Sequence, residues 1–208
     1  MASQSTVEPE DTAHEPGGGS PERRRKLFIL GAAAVGAAAL AVGVVYGPTS
    51  WQILQQRDTS LSAPERTAGL TRDTSSEAEG TAEYLRTALA AGMSLDDTMG
   101  AVYLDPADAS RAVIFIGGTA VLRAPETDLD RLFELVTDEQ SAVTGITEVP
   151  AGALGGVMKC GVSSAEGGQL ALCGWADHGS VAIALFPGRT PTDAAELLRT
   201  MRADIQHR

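Results

Sequence analysis

Lysine is nearly missing from these 208 residues: Lys26 and Lys159 are the only two among 16 basic side chains, the usage of a GC-rich genome. Acids outnumber bases by 27 to 16, for a net charge of -11. That balance excludes a nucleic-acid binder, which needs a basic face to displace counterions from phosphates. Aromatic residues make up only 4%, so the core must be built from Val, Leu, Ile and Ala. Two cysteines, Cys160 and Cys173, are too few for a disulfide-rich scaffold. Neither lies near an N-terminal apolar stretch, which excludes a lipid-modified cysteine anchor. Histidine is equally sparse: His14 lies in the N-terminal tail and His207 next to the last residue, leaving His178 for the body of the chain. What is present is 43% apolar residue in a length suited to one domain with appendages.

The first long feature is Leu27 to Tyr46, twenty residues without charge or proline. As a helix it spans about 30 Å, the thickness of a bilayer core. Arg23, Arg24, Arg25 and Lys26 precede it, and no Lys or Arg follows until Arg57. Positive charge stays in the cytoplasm, so residues 1–26 are expected there as a disordered tail, with the C-terminus outside the plasma membrane. Tyr46 and Trp51 would sit at the outer interface. Arg24-Arg25-Lys26-Leu27-Phe28 also fits a twin-arginine export pattern, with Ala39-Leu40-Ala41 as a cleavage site. The apolar run continues through Val42, Val44 and Val45, which favours a retained single-pass anchor.

Residues 47–80 read as a polar stalk, because Leu54, Leu61 and Leu70 form no periodic stripe. The folded domain is expected over residues 81–208. A helix near Thr81 to Gly92 carries Tyr84, Leu85, Ala88 and Leu89 on one face. Strands follow at about Met99–Leu104 and Ala112–Ile116, parted by an Asp105-Pro106-Ala107-Asp108 turn, and a helix at Thr127–Val136 presents Leu129, Leu132, Phe133 and Val136. Three more strands are read at Val157–Ser163, Gln169–Ala176 and Val181–Phe186. A last helix runs from Pro191 to about Ile205, with Thr190 as N-cap, Asp193 completing a capping box, and Ala194, Leu197, Leu198, Met201 and Ile205 as its inner stripe. The order α-ββα-βββα defines an α+β domain, an antiparallel sheet with helices mainly on one face.

A hairpin centred on Glu166-Gly167 pairs positions whose numbers add to a constant, and this sets Cys160 opposite Cys173. With a two-residue loop they form a non-hydrogen-bonded pair, whose Cα separation of about 4.5 Å is within disulfide reach. Outside the membrane such a pair oxidises; two buried thiols are the alternative, and two cysteines without a third ligand make a poor zinc site.

No catalytic constellation is legible, and no cofactor or metal is expected. Asp177, His178 and Ser180 are too close on one turn to form a relay, and a polar, exposed hairpin turn is the plainer reading. Asp96-Asp97 reads as a solvated loop, and Gly152, Gly155 and Gly156 as a flexible entry to a strand. Trp175 reads as core beside the cysteines, with recognition on the sheet surface as the alternative. Trp175, Asp177 and His178 are therefore the candidate recognition residues.

The stretch Gly155-Gly156-Val157-Met158-Lys159-Cys160, Cys173-Gly174-Trp175-Ala176-Asp177 and Phe186-Pro187-Gly188 resembles the C-terminal domain of small single-pass membrane proteins of actinobacteria such as Streptomyces. Those are largely of unknown function. The resemblance implies an envelope location and carries over no catalytic residue. The expectation is a membrane-anchored extracytoplasmic binding or interaction module of the cell envelope. Its partner would be another envelope protein, cationic or neutral, because residues 81–208 hold nine bases against seventeen acids. An exported enzyme with a cleaved signal, or a signalling protein acting through its cytoplasmic tail, are the alternatives.

Overall fold

The computed structural model describes residues 56–137, 142–165 and 168–208, with side chains left out at 164, 165, 168 and 169. The tail, the apolar run 27–46 and the Glu166-Gly167 turn lie outside the described residues. Among the described residues no helix is long and apolar enough to cross a membrane.

The strands are β1 (Ser60–Leu61), β2 (Arg66–Thr67), β3 (Leu70–Arg72), β4 (Asp97–Leu104), β5 (Val113–Thr119), β6 (Val143–Glu148), β7 (Val157–Ala165), β8 (Gly168–Ala176), β9 (Ser180–Pro187) and β10 (Gln206–His207). The helices are α1 (Ser76–Gly92), α2 (Pro125–Leu135) and α3 (Pro191–Ile205). Eight strands form one antiparallel sheet in the order β2-β3-β4-β5-β9-β8-β7-β6, and β1 pairs with β10 in a separate ribbon. The α+β class and the antiparallel sheet agree with the sequence.

Alternation along the strands assigns the two faces. On β9, Val181 and Ile183 join Leu89 of α1 and Leu129, Leu132 and Phe133 of α2 in one cluster. Ala182, Ala184 and Phe186 join Ala194, Leu198, Met201 and Ile205 of α3 in the other. Two of the three helices thus cover one face and the third covers the other. This double cover is why β5 and β9 read as unbroken apolar runs.

Helix α3 occupies the expected span. Thr190 Oγ1 accepts from the Asp193 amide at 3.2 Å, and Pro191 opens the first turn. Helix α1 differs: it starts at Ser76, where the Ser75 hydroxyl accepts from the Ala78 amide. Its inner positions include Ala78 and Leu89, while Tyr84 is 74% exposed. The inner stripe opens on alanine, which an apolar-periodicity reading passes over.

The expected stalk 47–80 contributes to the domain instead. Its residues 60–80 supply β1, β2, β3 and the first turn of α1. Between β2 and β3, Ala68 (φ 49°) and Gly69 (φ 80°) make the left-handed pair of a two-residue hairpin. Asp204 of α3 holds that turn, accepting from Thr67 Oγ1 at 2.9 Å and the Ala68 amide at 3.3 Å. Strand β6, not anticipated either, forms the far edge, and its pairing is interrupted between Thr144 and Thr147.

The β7–β8 register follows the hairpin arithmetic from Val157↔Ala176 to Ala165↔Gly168. Cys160 and Cys173 face each other with Cα atoms 4.1 Å apart and form a disulfide, buried on the α3 side.

Candidate functional site

The turn from β8 to β9 is Asp177-His178-Gly179. Asp177 is an Asx residue: its Oδ1 accepts from the Gly179 and Ser180 amides, each at 2.8 Å, and from Ser180 Oγ at 3.2 Å. The other oxygen faces the C-terminus. Oδ2 accepts from Arg202 Nη2 at 2.8 Å, Gln206 Nε2 at 2.6 Å and Arg208 Nη2 at 2.9 Å. Arg202 in turn donates from Nε to Gln206 Oε1 at 2.7 Å and from Nη1 to the Gly155 carbonyl at 2.8 Å. Its guanidinium carbon lies 5.1 Å from the centre of the Trp175 ring, and Trp175 Nε1 donates to Ser180 Oγ at 3.2 Å.

Asp177 is therefore not an exposed turn residue: it is 0% accessible, as is Trp175. Burial alone would push the Asp177 carboxyl up, but the Gln206 amide, the Gly179 N–H and the Arg202 and Arg208 charges together hold it below its usual range. Burial lowers Arg202 to about 10, with the Asp177 charge opposing that fall, so the pair is ionised at neutral pH. Every oxygen of the carboxylate is engaged. The pair's work is to tie the turn, α3–β10 and the 151–155 loop together.

His178, the third candidate, has a different setting. Its amide donates to Gln56 Oε1 at 2.8 Å. Its Nδ1 lies 2.8 Å from the Leu122 carbonyl, which can only accept, so Nδ1 carries the proton, and Nε2 has no partner among the described residues. Gln56 belongs to a strap that crosses the turn, closed by Thr59 Oγ1 donating to the Gln56 carbonyl at 2.6 Å. Gly179 permits this crossing: any Cβ there would collide with the Gln56 carbonyl oxygen.

His178 and Gln56 line a groove of about 690 Å³, walled by Pro125 and Thr127 of α2 on one side and Leu154 and Gly156 on the other. Helix α2 presents its N-terminus here. Its N-cap is Ala124, which offers no side-chain acceptor, and Pro125 at the first position has no N–H. Lys159 on β7 steadies this end, pairing with Asp130 at 2.6 Å and Glu126 at 3.2 Å, and the Asp130 bond raises its pKa.

Among the candidates the structure brings His178 and the buried Asp177 to the groove wall and puts Trp175 in the core. Sequence reasoning missed Gln56, Arg202, Gln206 and Arg208. The one available signal was Arg202 on the inner side of α3, directly after Met201 of the apolar stripe. Among the described residues no three His, Cys, Asp or Glu side chains converge as a metal site. No protein-family model, curated protein or solved structure matches this chain.

Proposed function

We propose that this is a membrane-tethered binding module of the cell envelope, anchored through residues 27–46, with the α+β domain outside the plasma membrane and the groove beside His178 as its contact surface. The observation that carries the reading is the buried Cys160–Cys173 disulfide. A structural disulfide needs an oxidising compartment, and the basic cluster before the apolar run directs the domain to one. The likeness to actinobacterial single-pass proteins points the same way. The groove volume supports binding, being within the range of about 300–1,000 Å³ common for ligand sites.

The test has two arms. Alkaline phosphatase fused after Arg208 should be active in intact cells, and the fusion should stay with membranes through a carbonate wash. An inactive fusion would overturn the topology, and a shortened soluble product would identify a cleaved signal. The detergent-solubilised full chain should also be retained by isolated envelope fragments, and Thr127→Trp, which fills the groove, should release it. Retention indifferent to Thr127→Trp would move the contact surface elsewhere.

A further inference from the structure

We infer that the groove between the C-terminal half of α2 and β6 docks a basic, extended segment of a partner protein, with one aliphatic side chain on its floor and lysine or arginine side chains along its rim. This surface is separate from the groove beside His178 and does not rest on it. It encloses about 530 Å³ and lies against the outermost strand of the sheet. Phe133 of α2 and Val143 and Ile146 of β6 supply its apolar lining. Gly161 of β7 makes room for the last two: a Cβ there would come within 2.7 Å of Val143 Cγ1 and 2.9 Å of Ile146 Cγ1. Both side chains therefore settle on the sheet, yet Ile146 remains 41% exposed. One exposed isoleucine is ordinary by itself. Its place in a groove with an unbalanced charged rim is what gives it meaning.

The rim decides the occupant. Asp130, Glu134 and Glu148 line the groove with Lys159 as its one cation. Glu148 is the register partner of Lys159, but the ammonium is turned to Asp130 at 2.6 Å and Glu126 at 3.2 Å. Glu134 and Glu148 are thus left without a counter-charge among the described residues. In the groove beside His178 the acids are matched, Glu126 by Lys159 and Asp177 by Arg202 and Arg208. The rim acids do not converge as a metal site, so cations spaced along a chain suit them better than a single ion. A second copy of this domain is equally acidic and is repelled. The chain's own basic run, residues 23–26, is expected on the other side of the membrane. Strand addition along β6 is disfavoured as well, because Gly145 (φ 63°) interrupts its pairing between Thr144 and Thr147 and breaks the edge as a template. The partner is held through side chains in the groove.

The experiment is a titration of the ¹⁵N-labelled full chain in detergent micelles with a soluble peptide of four lysines around a central leucine. Saturable shifts should appear at the amides of Phe133, Ile146 and Glu148. Glutamates in place of the lysines should abolish them, and serine in place of the leucine should weaken binding about tenfold. Glu134→Lys combined with Glu148→Lys should exchange the preference, losing the lysine peptide and gaining the glutamate one. Ile146→Ser, at a half-open position, should weaken the lysine peptide about tenfold while the domain still melts cooperatively. Shifts that never saturate, that appear equally with the glutamate peptide, or that survive in the charge-reversed chain overturn the proposal. Thr127→Trp should leave this binding unchanged. Loss of the shifts in that variant would move the peptide to the groove beside His178 and overturn this proposal alone, whereas envelope retention indifferent to Thr127→Trp overturns the other groove and leaves this one standing.

Discussion

Asp177→Ala is expected to destabilise the domain by about 3–5 kcal/mol, because it leaves the Arg202 guanidinium buried without its counter-charge. For a domain of this size that lowers the melting temperature by about 10 °C. Two cations and one amide lose their shared acceptor at once, and the turn loses both Asx bonds to Gly179 and Ser180. The pH dependence carries its own signature. A carboxyl whose folded pKa is depressed contributes stability above its unfolded value of about 3.9 and loses it as pH falls through the folded value. The native chain should therefore show an acid limb below about pH 4 to which Asp177 contributes, and in Asp177→Ala that contribution should be missing from thermal melts collected across pH. An undiminished acid limb in the variant would assign it to other carboxylates.

Trp175→Ala should cost about 3–5 kcal/mol, the cavity left by a fully buried ring. The Phe115 ring packs at a 35° tilt to the indole with ring centres 5.6 Å apart, and Arg202 lies over the ring. Trp175→Phe keeps most of the volume and loses only the bond to Ser180, for about 1 kcal/mol. If Trp175 served recognition instead of the core, the phenylalanine variant would lose envelope retention while melting normally; the structure predicts that retention survives in proportion to folding. Combined with Asp177→Ala the effects should not add, since both act on Arg202.

The parts of this molecule that sequence made legible are those specified locally. Helix α3 announces itself through Thr190, Pro191 and an apolar stripe, and the register of Cys160 and Cys173 follows from the centre of one hairpin. The parts that were hidden depend on distant partners. Strands β1 to β3 and β6 are short or lie at the sheet edge, so nothing in their sequence demands two-sided burial. Asp177 looked like an ordinary turn acid because the three groups that justify its burial sit 25 to 31 residues away at Arg202, Gln206 and Arg208. His178 was singled out as the one histidine away from the chain ends, but its meaning comes from Gln56, 122 residues earlier in a segment with no periodic signal. Polar networks of this kind obey geometry and satisfaction of donors rather than any spacing along the chain.

The proposed function depends on the compartment in which the domain folds, and the redox state of the cysteine pair in growing cells reports it directly. Cells are quenched in acid and the full-length protein is alkylated with a mass-shifting maleimide, before and after reduction. An extracytoplasmic domain should take up no label before reduction and two labels after it, at Cys160 and Cys173. Two labels before reduction would mean a pair of free thiols in a reducing compartment, and would contradict the envelope placement on which the proposed function stands.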